Sequence, residues 1–471
     1  MCEETRLGGV AWDLVPGDSV DKQINNAWMI CLSTESRALG LADSSEIRVL
    51  HAGKLRLRGV AVPPRRADPE GEESMDADTF AALAAKPGPD AIAHAMARLD
   101  AGANDLAVGE DVRRHYCALK PNVASAAVEQ ATLRRRGRAK FGAAADEMWF
   151  TANGLEQATS AIAANHRATR FHALNTTLGR PARVADLCCG IGADLRALEA
   201  AGCNVTGFDH DPVTAQAARL NSDARVDCAD VEVLDLTGYD AAFIDPARRS
   251  RGRRTFDVNA YEPPWSFVTS LLAKVPAAAA KVAPGIPHDL VPAGIEIEWI
   301  SVAGGLKEAV LWAGSLTDGE TRRRATLLPS GATMHTKSDA DERAQTGSMN
   351  RYLYEPDDAV VRAHLISDLA RSVDGVLLDA TTAYLTSDRL IDTPFAKAFE
   401  VRDVMPFSLK RLRAALRERD VGGVTIMKRG SAVDVERLRR DLRLEGTTQA
   451  VVLLALIDGK HYAVIADAVN T

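Results

Sequence analysis

The 471-residue chain lacks the features that mark several large classes of protein. Its longest unbroken apolar run, residues 450–457, is much shorter than the ~20 residues that a membrane-spanning helix requires. The first residues do not place an apolar stretch after a basic one, so we expect no secretory signal, no membrane anchor and a cytoplasmic location. The seven cysteines contain no C-x-x-C pair, so we expect neither a disulfide framework nor a metal site.

The chain as a whole is not basic. Its net charge of −7 at pH 7 excludes a globally cationic nucleic-acid binder. The cations are instead gathered locally: residues 134–140 and 248–254 carry five Lys or Arg each, and residues 405–440 carry ten against four Asp or Glu. Solvated helix faces account for many such runs. Because these three runs flank the site predicted below, we expect them to line a groove for a polyanion.

Changes in composition and in the spacing of apolar residues along the chain predict five segments. Residues 1–78 read as an N-terminal extension and linker to which no function is assigned, and residues 79–175 have the apolar spacing of a helical domain. In residues 176–329 short apolar runs alternate with helical stretches, which is typical of an α/β domain with a parallel sheet. Residues 330–350 have the polar composition of a linker, and residues 351–471 read as a small α/β domain.

One motif in the α/β domain indicates a ligand-binding site. Asp186-Leu-Cys-Cys-Gly190-Ile-Gly192 lies where the predicted first strand, residues 184–188, meets the first helix. Glycines there allow the backbone to approach a ligand closely, and the start of the helix offers free N–H groups. A nicotinamide-binding fingerprint requires Gly or Ala at position 195, so Leu195 makes an oxidoreductase the weakest alternative.

Acidic residues follow the next three predicted strands. Asp209 ends the second strand, Asp230 follows the third and Asp245 ends the fourth. Open α/β sheets bind ligands at the carboxyl ends of their strands. A carboxylate at Asp209 can accept both ribose hydroxyls of an adenosine, and one at Asp230 can meet an adenine amino group. Acids at four successive strand ends are a more specific pattern than two glycines.

This pattern resembles the class I S-adenosylmethionine-dependent methyltransferases, over residues 183–312. The resemblance implies a Rossmann-like seven-stranded sheet that ends in a hairpin, with S-adenosylmethionine as cofactor. It implies cofactor contacts for Asp186 and the two glycines of the loop at the methionine end, for Asp209 at the ribose and for Asp230 at adenine.

Two further stretches narrow the resemblance to a bacterial group with a C-terminal THUMP-like domain. They are Asp245-Pro-Ala-Arg-Arg-Ser250, with the arginines that follow it, and Phe407-Ser-Leu-Lys-Arg-Leu-Arg413. With them the resemblance covers residues 79–468. THUMP domains are associated with RNA modification, so the resemblance implies an RNA partner such as rRNA or tRNA. It does not name the substrate.

The fourth strand end resembles the catalytic motif of enzymes that methylate amines. That motif is Asn or Asp, Pro, Pro and an aromatic residue, so Asp245 and Pro246 match and Arg248 replaces the aromatic ring. Asp245 is predicted to accept a hydrogen bond from the target amine, and Tyr261 or Trp265 to supply the missing ring. The predicted substrate contacts further include Arg249, Arg251, Arg253, Arg254 and Lys281.

Each of these residues also has a plainer interpretation. The glycine loop can be a packing turn, Asp186 can pair with Arg183, Asp209 can cap a helix, and Asp230 and Asp245 can be turn residues. Two functional alternatives also remain at this point. One is a methyltransferase of small molecules or proteins, and the other is a non-catalytic RNA-binding module that retains the cofactor fold.

Overall fold

The computed structural model describes residues 75–248, 261–338 and 343–469, together with the backbone of four short strands nearer the amino terminus. The chain separates into two compact units, Met1–Glu72 and Glu73–Thr471. In the first unit the described strands form two antiparallel hairpins. They are β1 (Thr5–Leu7) with β2 (Val10–Trp12), and β3 (Val49–Leu50) with β4 (Lys54–Leu55).

The second unit begins with a helical region. Its helices are α1 (Ala77–Ala84), α2 (Gly88–Asp100), α3 (Asp105–His115), α4 (Pro121–Phe141), α5 (Ala152–Gln157) and α6 (Ala161–Leu178). Asp76 and Asn104 begin α1 and α3 by accepting hydrogen bonds from backbone N–H groups three residues on. No helix in the described parts of the chain is both long and apolar enough to cross a membrane.

The basic run at residues 134–140 lies on α4 and is used inside this region. All five cations have partners: Arg134 donates to the Met148 and Asp146 carbonyls, Arg135 and Arg138 pair with Asp100, Arg136 lies near Glu156, and Lys140 donates to three carbonyls. A polyanion contact by the exposed Arg135 and Arg136 of this run stays a prediction. Arg134, Arg138 and Lys140 fasten residues 146–158 onto α4, and Arg135 and Arg138 tie α4 to the end of α2 through Asp100.

The central sheet has nine strands. They are β5 (Arg183–Leu187), β6 (Asn204–Asp209), β7 (Arg225–Cys228), β8 (Ala241–Ile244), β11 (Ala277–Val282), β12 (Glu296–Val302), β13 (Gly305–Gly314), β14 (Arg323–Leu328) and β15 (Ala332–Thr336). A separate ribbon pairs β9 (Ala247–Arg248) with β10 (Tyr261–Glu262). Helices α7 (Ala193–Ala200), α8 (Pro212–Asn221) and α9 (Trp265–Lys274) connect parallel strands.

The strand order is β15-β14-β12-β13-β11-β8-β5-β6-β7. The seven strands from β7 to β12 confirm the predicted sheet, with six parallel strands and the antiparallel β13 of the closing hairpin. Two further strands extend it, because β14 pairs with β12 and β15 folds back on β14. The polar stretch predicted as a linker from residue 330 thus contributes the edge strand, with the alternate burial typical of a sheet edge.

A second sheet of seven strands, in the order β17-β18-β16-β19-β22-β21-β20, makes up the C-terminal region. Its strands are β16 (Tyr352–Pro356), β17 (Val376–Leu377), β18 (Leu385–Ser387), β19 (Ala396–Pro406), β20 (Val421–Lys428), β21 (Thr448–Ile457) and β22 (Lys460–Ala468). The helices are α10 (Asp358–Arg362), α11 (Ile366–Ser372), α12 (Leu409–Glu418) and α13 (Val435–Leu442). The leucines of α12 and α13 share one core with β20, β21 and β22.

Buried ion pairs hold α6 against the central sheet. Arg170 donates to Glu296 at 2.7 Å and lies over the Trp312 ring at 4.3 Å. His166 lies 2.8 Å from Glu298, and both glutamates are fully buried on β12. Buried carboxylates are tolerated only when charge and hydrogen bonds compensate for their lost hydration. The acids of β12 therefore require α6 in this position.

The pKa of Glu298 reports this compensation. Burial acts to raise the pKa, but the hydrogen bond from His166 and the charges of His166 and Arg170 outweigh burial and lower it to about 2. A carboxyl whose pKa is lower in the folded state stabilises the fold above its unfolded pKa, about 4.3 for Glu. That stabilisation is lost as the pH falls towards the folded value.

We expect Glu298→Gln to lower the free energy of unfolding at pH 7, because His166 and Arg170 lose their charged partner. The difference from the wild type shrinks as the pH falls below about 4.3. Urea unfolding across this pH range measures the effect, and Glu445→Gln, at an exposed residue, is the control. A difference that did not change with pH would contradict the ion pairing.

Candidate active site

The carboxyl ends of neighbouring parallel strands bring the four predicted acids to one edge of the central sheet. Asp186 lies near the end of β5 and Asp209 ends β6, whereas Asp230 and Asp245 follow β7 and β8 closely. The four strands are adjacent, in the order β8-β5-β6-β7. Open α/β sheets bind their ligands at this edge.

The glycine loop between β5 and α7 has a strongly bent backbone. Cys188, Gly190 and Gly192 have positive φ angles of 59°, 58° and 83°. A Cβ placed on Gly190 would meet nothing within 4 Å, so open space lies beside the loop at that point. The loop is held from behind by two hydrogen bonds, from the Cys189 N–H to the Phe208 carbonyl and from the Asn221 amide to the Ile191 carbonyl.

Asp186 is the buried acid of the site. Within the described part of the chain, neither of its carboxylate oxygens has a hydrogen-bond partner. Burial raises its pKa well above the usual value, and the nearby charges of Asp194 and Asp245 add to this. The alternative pairing with Arg183 is wrong, because Arg183 turns to Asp240. A buried carboxyl without a donor indicates the place of a missing donor group.

Asp209 ties the end of β6 to the glycine loop. Its carboxylate accepts hydrogen bonds from the N–H groups of Gly190 at 2.9 Å and Asp211 at 3.0 Å. Burial raises the pKa of Asp209 in spite of these bonds. The helix-cap alternative is wrong, because Asp211 caps α8 by accepting from the Thr214 N–H.

Asp230 is the most exposed of the four acids. It accepts a hydrogen bond at 2.9 Å from the N–H of Glu232 and so caps the short turn Val231–Val233. This local role is that of an ordinary loop acid. A ligand contact for Asp230 stays a prediction.

Asp245 is held by a lysine. Its carboxylate lies 2.5 Å from the ammonium of Lys281 on β11, and that ammonium also donates to the Thr159 hydroxyl at 2.9 Å. The Lys281 side chain is only 11% exposed. The structure thus places Lys281, predicted as a substrate contact, against the predicted catalytic acid.

The ribbon after β8 positions the predicted aromatic residues. Tyr261 on β10 lies opposite Arg248 on β9, and the Tyr261 hydroxyl accepts a hydrogen bond from the Ala283 N–H at 2.9 Å. The Trp265 ring lies 5.9 Å from the Tyr261 ring and is partly exposed, so Trp265 is the more accessible of the two.

The predicted arginine contacts fall largely outside this description. Arg249, Arg251, Arg253 and Arg254 lie outside the described residues, and only the backbone of Arg248 is described. Pro246 is buried directly after Asp245. Contacts of these arginines with a substrate stay predictions.

Two residues of the site have no local signal in the sequence. Thr159 meets Lys281 across 122 residues of chain. The Asn221 side chain accepts a hydrogen bond from the Trp149 N–H and donates to the carbonyls of Trp149 and Ile191. It therefore joins the helical region to the glycine loop. Only the folded chain brings these partners together.

Comparison with known proteins finds matches to two family models and to curated relatives. The family model described as "THUMP domain-like" matches residues 396–468, and a domain of unknown function matches residues 76–137. The chain is 37% identical over 344 residues to S-adenosylmethionine-dependent methyltransferases, described as uncharacterized, from two strains of Mycobacterium tuberculosis. The match covers 70% of this chain and 92% of each relative.

A solved structure shares the fold. The crystal structure of a protein from Porphyromonas gingivalis, described as a methyltransferase, aligns with a TM-score of 0.65 at 20% identity. The alignment covers 84% of this chain and 99% of that one.

The chain belongs to the S-adenosylmethionine-dependent methyltransferases, and S-adenosylmethionine is its cofactor. The residues of the edge fit this cationic ligand. Asp186 offers a buried carboxylate without a donor, and Gly190 has open space beside it. The predicted enzyme class and THUMP-like region are confirmed with it.

We expect Asp186→Asn to stabilise the ligand-free protein while it weakens binding of S-adenosylmethionine. A carboxyl with a raised folded pKa destabilises the fold progressively as the pH rises above its unfolded value, and the amide removes that penalty. Thermal unfolding at pH 5 and pH 8 measures the first effect, which is larger at pH 8. Calorimetric titration with the cofactor measures the second. An equally stable variant with wild-type affinity would contradict both.

Proposed function

We propose that this enzyme transfers a methyl group to an exocyclic amine of a base in structured RNA. The observation that carries the choice of RNA is the THUMP domain-like match over residues 396–468, since THUMP domains are associated with RNA modification. The Asp-Pro pair at the end of β8 supports the choice of an amine.

In this proposal, three acids at the carboxyl edge of the sheet each bind a different part of the cofactor. Asp186 receives the ammonium of the methionine part, because it is buried, anionic when ionised and without a donor of its own. Asp209 receives the ribose hydroxyls with the lone pairs that its two backbone N–H groups leave free. Asp230, which is exposed at the end of β7, receives the adenine amine.

S-adenosylmethionine supplies an electrophilic methyl group. The attacking amine presents its nitrogen lone pair to the methyl carbon, and as the C–N bond forms the carbon–sulfur bond breaks and leaves its electron pair on the sulfur of the departing thioether. The methylated amine then gives its extra proton to solvent. Asp245 accepts a hydrogen bond from this amine and thereby orients it, and much of the catalysis follows from that positioning. Trp265 offers a partly exposed ring on which the base can stack, and Arg248, three residues after Asp245 in the sequence, adds a cation.

The C-terminal region offers cations to an RNA backbone. Lys410 and Arg411 on α12 and Arg440 on α13 are exposed. Among the residues that the structure describes, none of the three makes a salt bridge, although the charge of Arg440 helps to lower the pKa of Asp434. Phosphate contacts of this kind position an RNA without reading its sequence.

The class of acceptor is tested by incubating the protein with cofactor labelled in its methyl group and with separate pools of RNA, protein and metabolites. We expect label in RNA, at a base nitrogen after nuclease digestion. Label confined to the protein or the metabolite pool would support the other methyltransferase alternative. Cofactor binding without transfer to any pool would support the non-catalytic module.

We expect Asp245→Ala to lower the rate of methyl transfer by about 10²-fold or more, since the amine loses the acceptor that orients it. The affinity for S-adenosylmethionine should change little. Single-turnover kinetics and cofactor titration measure the two quantities, and Asp289→Ala, on an exposed turn, is the control. Equal loss of both would contradict the role of Asp245.

We expect the triple variant Lys410→Ala, Arg411→Ala, Arg440→Ala to bind RNA more weakly and with a shallower dependence on salt, because fewer counterions are released. Filter binding at several salt concentrations measures both. Arg402→Ala is the matched control, since Arg402 is already paired with Asp467 and Glu400. An unchanged salt dependence would show that the RNA does not contact this face.

A further inference from the structure

The end of β8 is completed by a part of the chain that lies outside the sheet. Lys281 on β11 has its ammonium 2.5 Å from a carboxylate oxygen of Asp245. The same ammonium donates to the Thr159 hydroxyl at 2.9 Å. Thr159 is buried, and it precedes the N-cap residue of α6 in the helical region.

The segment that precedes Thr159 is itself bound to α4 by hydrogen bonds. The Lys140 ammonium on α4 donates to the carbonyls of Leu155, Glu156 and Ala158 at 2.7, 2.8 and 2.8 Å. Gly154, one residue earlier, packs directly on the Ile191 side chain of the glycine loop. A rigid segment thus runs from the loop to the Lys281 ammonium.

We propose that Lys281 is a positioning residue, which Thr159 holds in place so that the Asp245 carboxylate points at the acceptor amine. The arrangement is a three-residue clamp formed by Asp245, Lys281 and Thr159. This inference rests on the proposed function, because it assigns the acid to the amine.

The charges at the edge explain why a lysine is needed there. Asp245 lies close enough to Asp186 that its charge, together with that of Asp194, adds to the rise in the pKa of Asp186 that burial causes. A free carboxylate among other acids would turn towards any nearby cation, including the cofactor itself. Lys281 supplies a fixed cation, so one oxygen of Asp245 is engaged and the other remains available to the amine.

Thr159 has the matching role towards Lys281. A lysine ammonium is a point charge on a flexible stem, and a single carboxylate does not fix its direction. The Thr159 oxygen accepts a second hydrogen bond and thereby sets where the ammonium lies. The helical region thus contributes to the catalytic geometry through one hydroxyl.

Lys281→Met keeps the length and the apolar stem of the side chain and removes its charge. We expect kcat for RNA to fall by about 10²-fold, with the KM for RNA and the affinity for S-adenosylmethionine nearly unchanged. Lys281→Arg restores much of kcat because it keeps a cation beside Asp245. Lys274→Met, at an exposed lysine of α9, is the control and keeps wild-type kcat.

Thr159→Val is isosteric and removes only the hydroxyl. We expect a fall in kcat of about fivefold, the effect of one hydrogen bond, and wild-type kcat for Thr159→Ser.

If Lys281 had a purely structural role, Lys281→Met would lower the unfolding temperature and Lys281→Arg would not restore kcat. Wild-type kcat in Lys281→Met overturns the proposal, and so does a loss of RNA affinity alone, which would make Lys281 a substrate contact.

A second measurement does not depend on the substrate. Amine acetylation followed by mass spectrometry compares Lys281 with the exposed Lys274 in the same sample. We expect slow labelling of Lys281 in the wild type and faster labelling in Asp245→Asn and in Thr159→Val. If the wild type methylates no RNA, the proposed function fails, and the labelling experiment alone then decides whether the clamp exists. Equal labelling of Lys281 in all three proteins overturns the clamp.

Discussion

Four carboxylates, Glu296, Glu298, Glu308 and Asp194, lie buried between α6 and the central sheet and have to be compensated before the sheet can be covered. Arg167 and Arg170 project from α6 and meet all four, and Arg324 and His166 complete the pairing. An apolar interface would allow a helix to slide, whereas buried charges have only a few allowed positions. This ionic cluster therefore sets where α6 begins.

The start of α6 matters because the chain enters it from the site. Thr159 precedes that start and meets Lys281, while Gly154 and Trp149 contact the glycine loop through Ile191 and Asn221. The ionic cluster and the site are thus connected through the segment that leads into α6. The helical region lies against the catalytic edge because its last helix is fixed by charge to β12, to β13 and to the first turn of α7.

The site itself is an incompletely satisfied cluster of acids. Asp186 is buried without a donor, and Asp209 has a raised pKa although two N–H groups bind it. Cys188 and Cys189 lie between these acids, and burial raises the pKa of both thiols, so they stay protonated and inert. These acids thus leave the edge with unsatisfied negative groups, which fits the cationic cofactor.

The sequence allowed prediction of features that depend on local pattern. The glycine loop and the strand ends follow from short apolar runs and from the acids placed after them, whereas the seven-stranded sheet was expected from the family resemblance. Contacts between distant segments could not be predicted, since nothing near Thr159 or Asn221 marks their partners. The structural roles of Arg134 and Lys140 could not be predicted for the same reason, because a basic run on a solvated face and one that fastens a loop look alike in sequence.

The extension of the central sheet by β14 and β15 also bears on the C-terminal region. Arg323 on β14 donates to the carbonyls of Ala363 and His364, which follow α10, and Ser301 on β12 donates to Asp357 at the start of that helix. The imidazoles of His288 and His364 stack at 3.9 Å across the same boundary. Such a seam, with polar groups matched on both sides, leaves little freedom for hinge bending. The RNA acceptor that we propose would meet a preformed surface, and its own folded shape would then decide which nucleotide reaches the methyl donor.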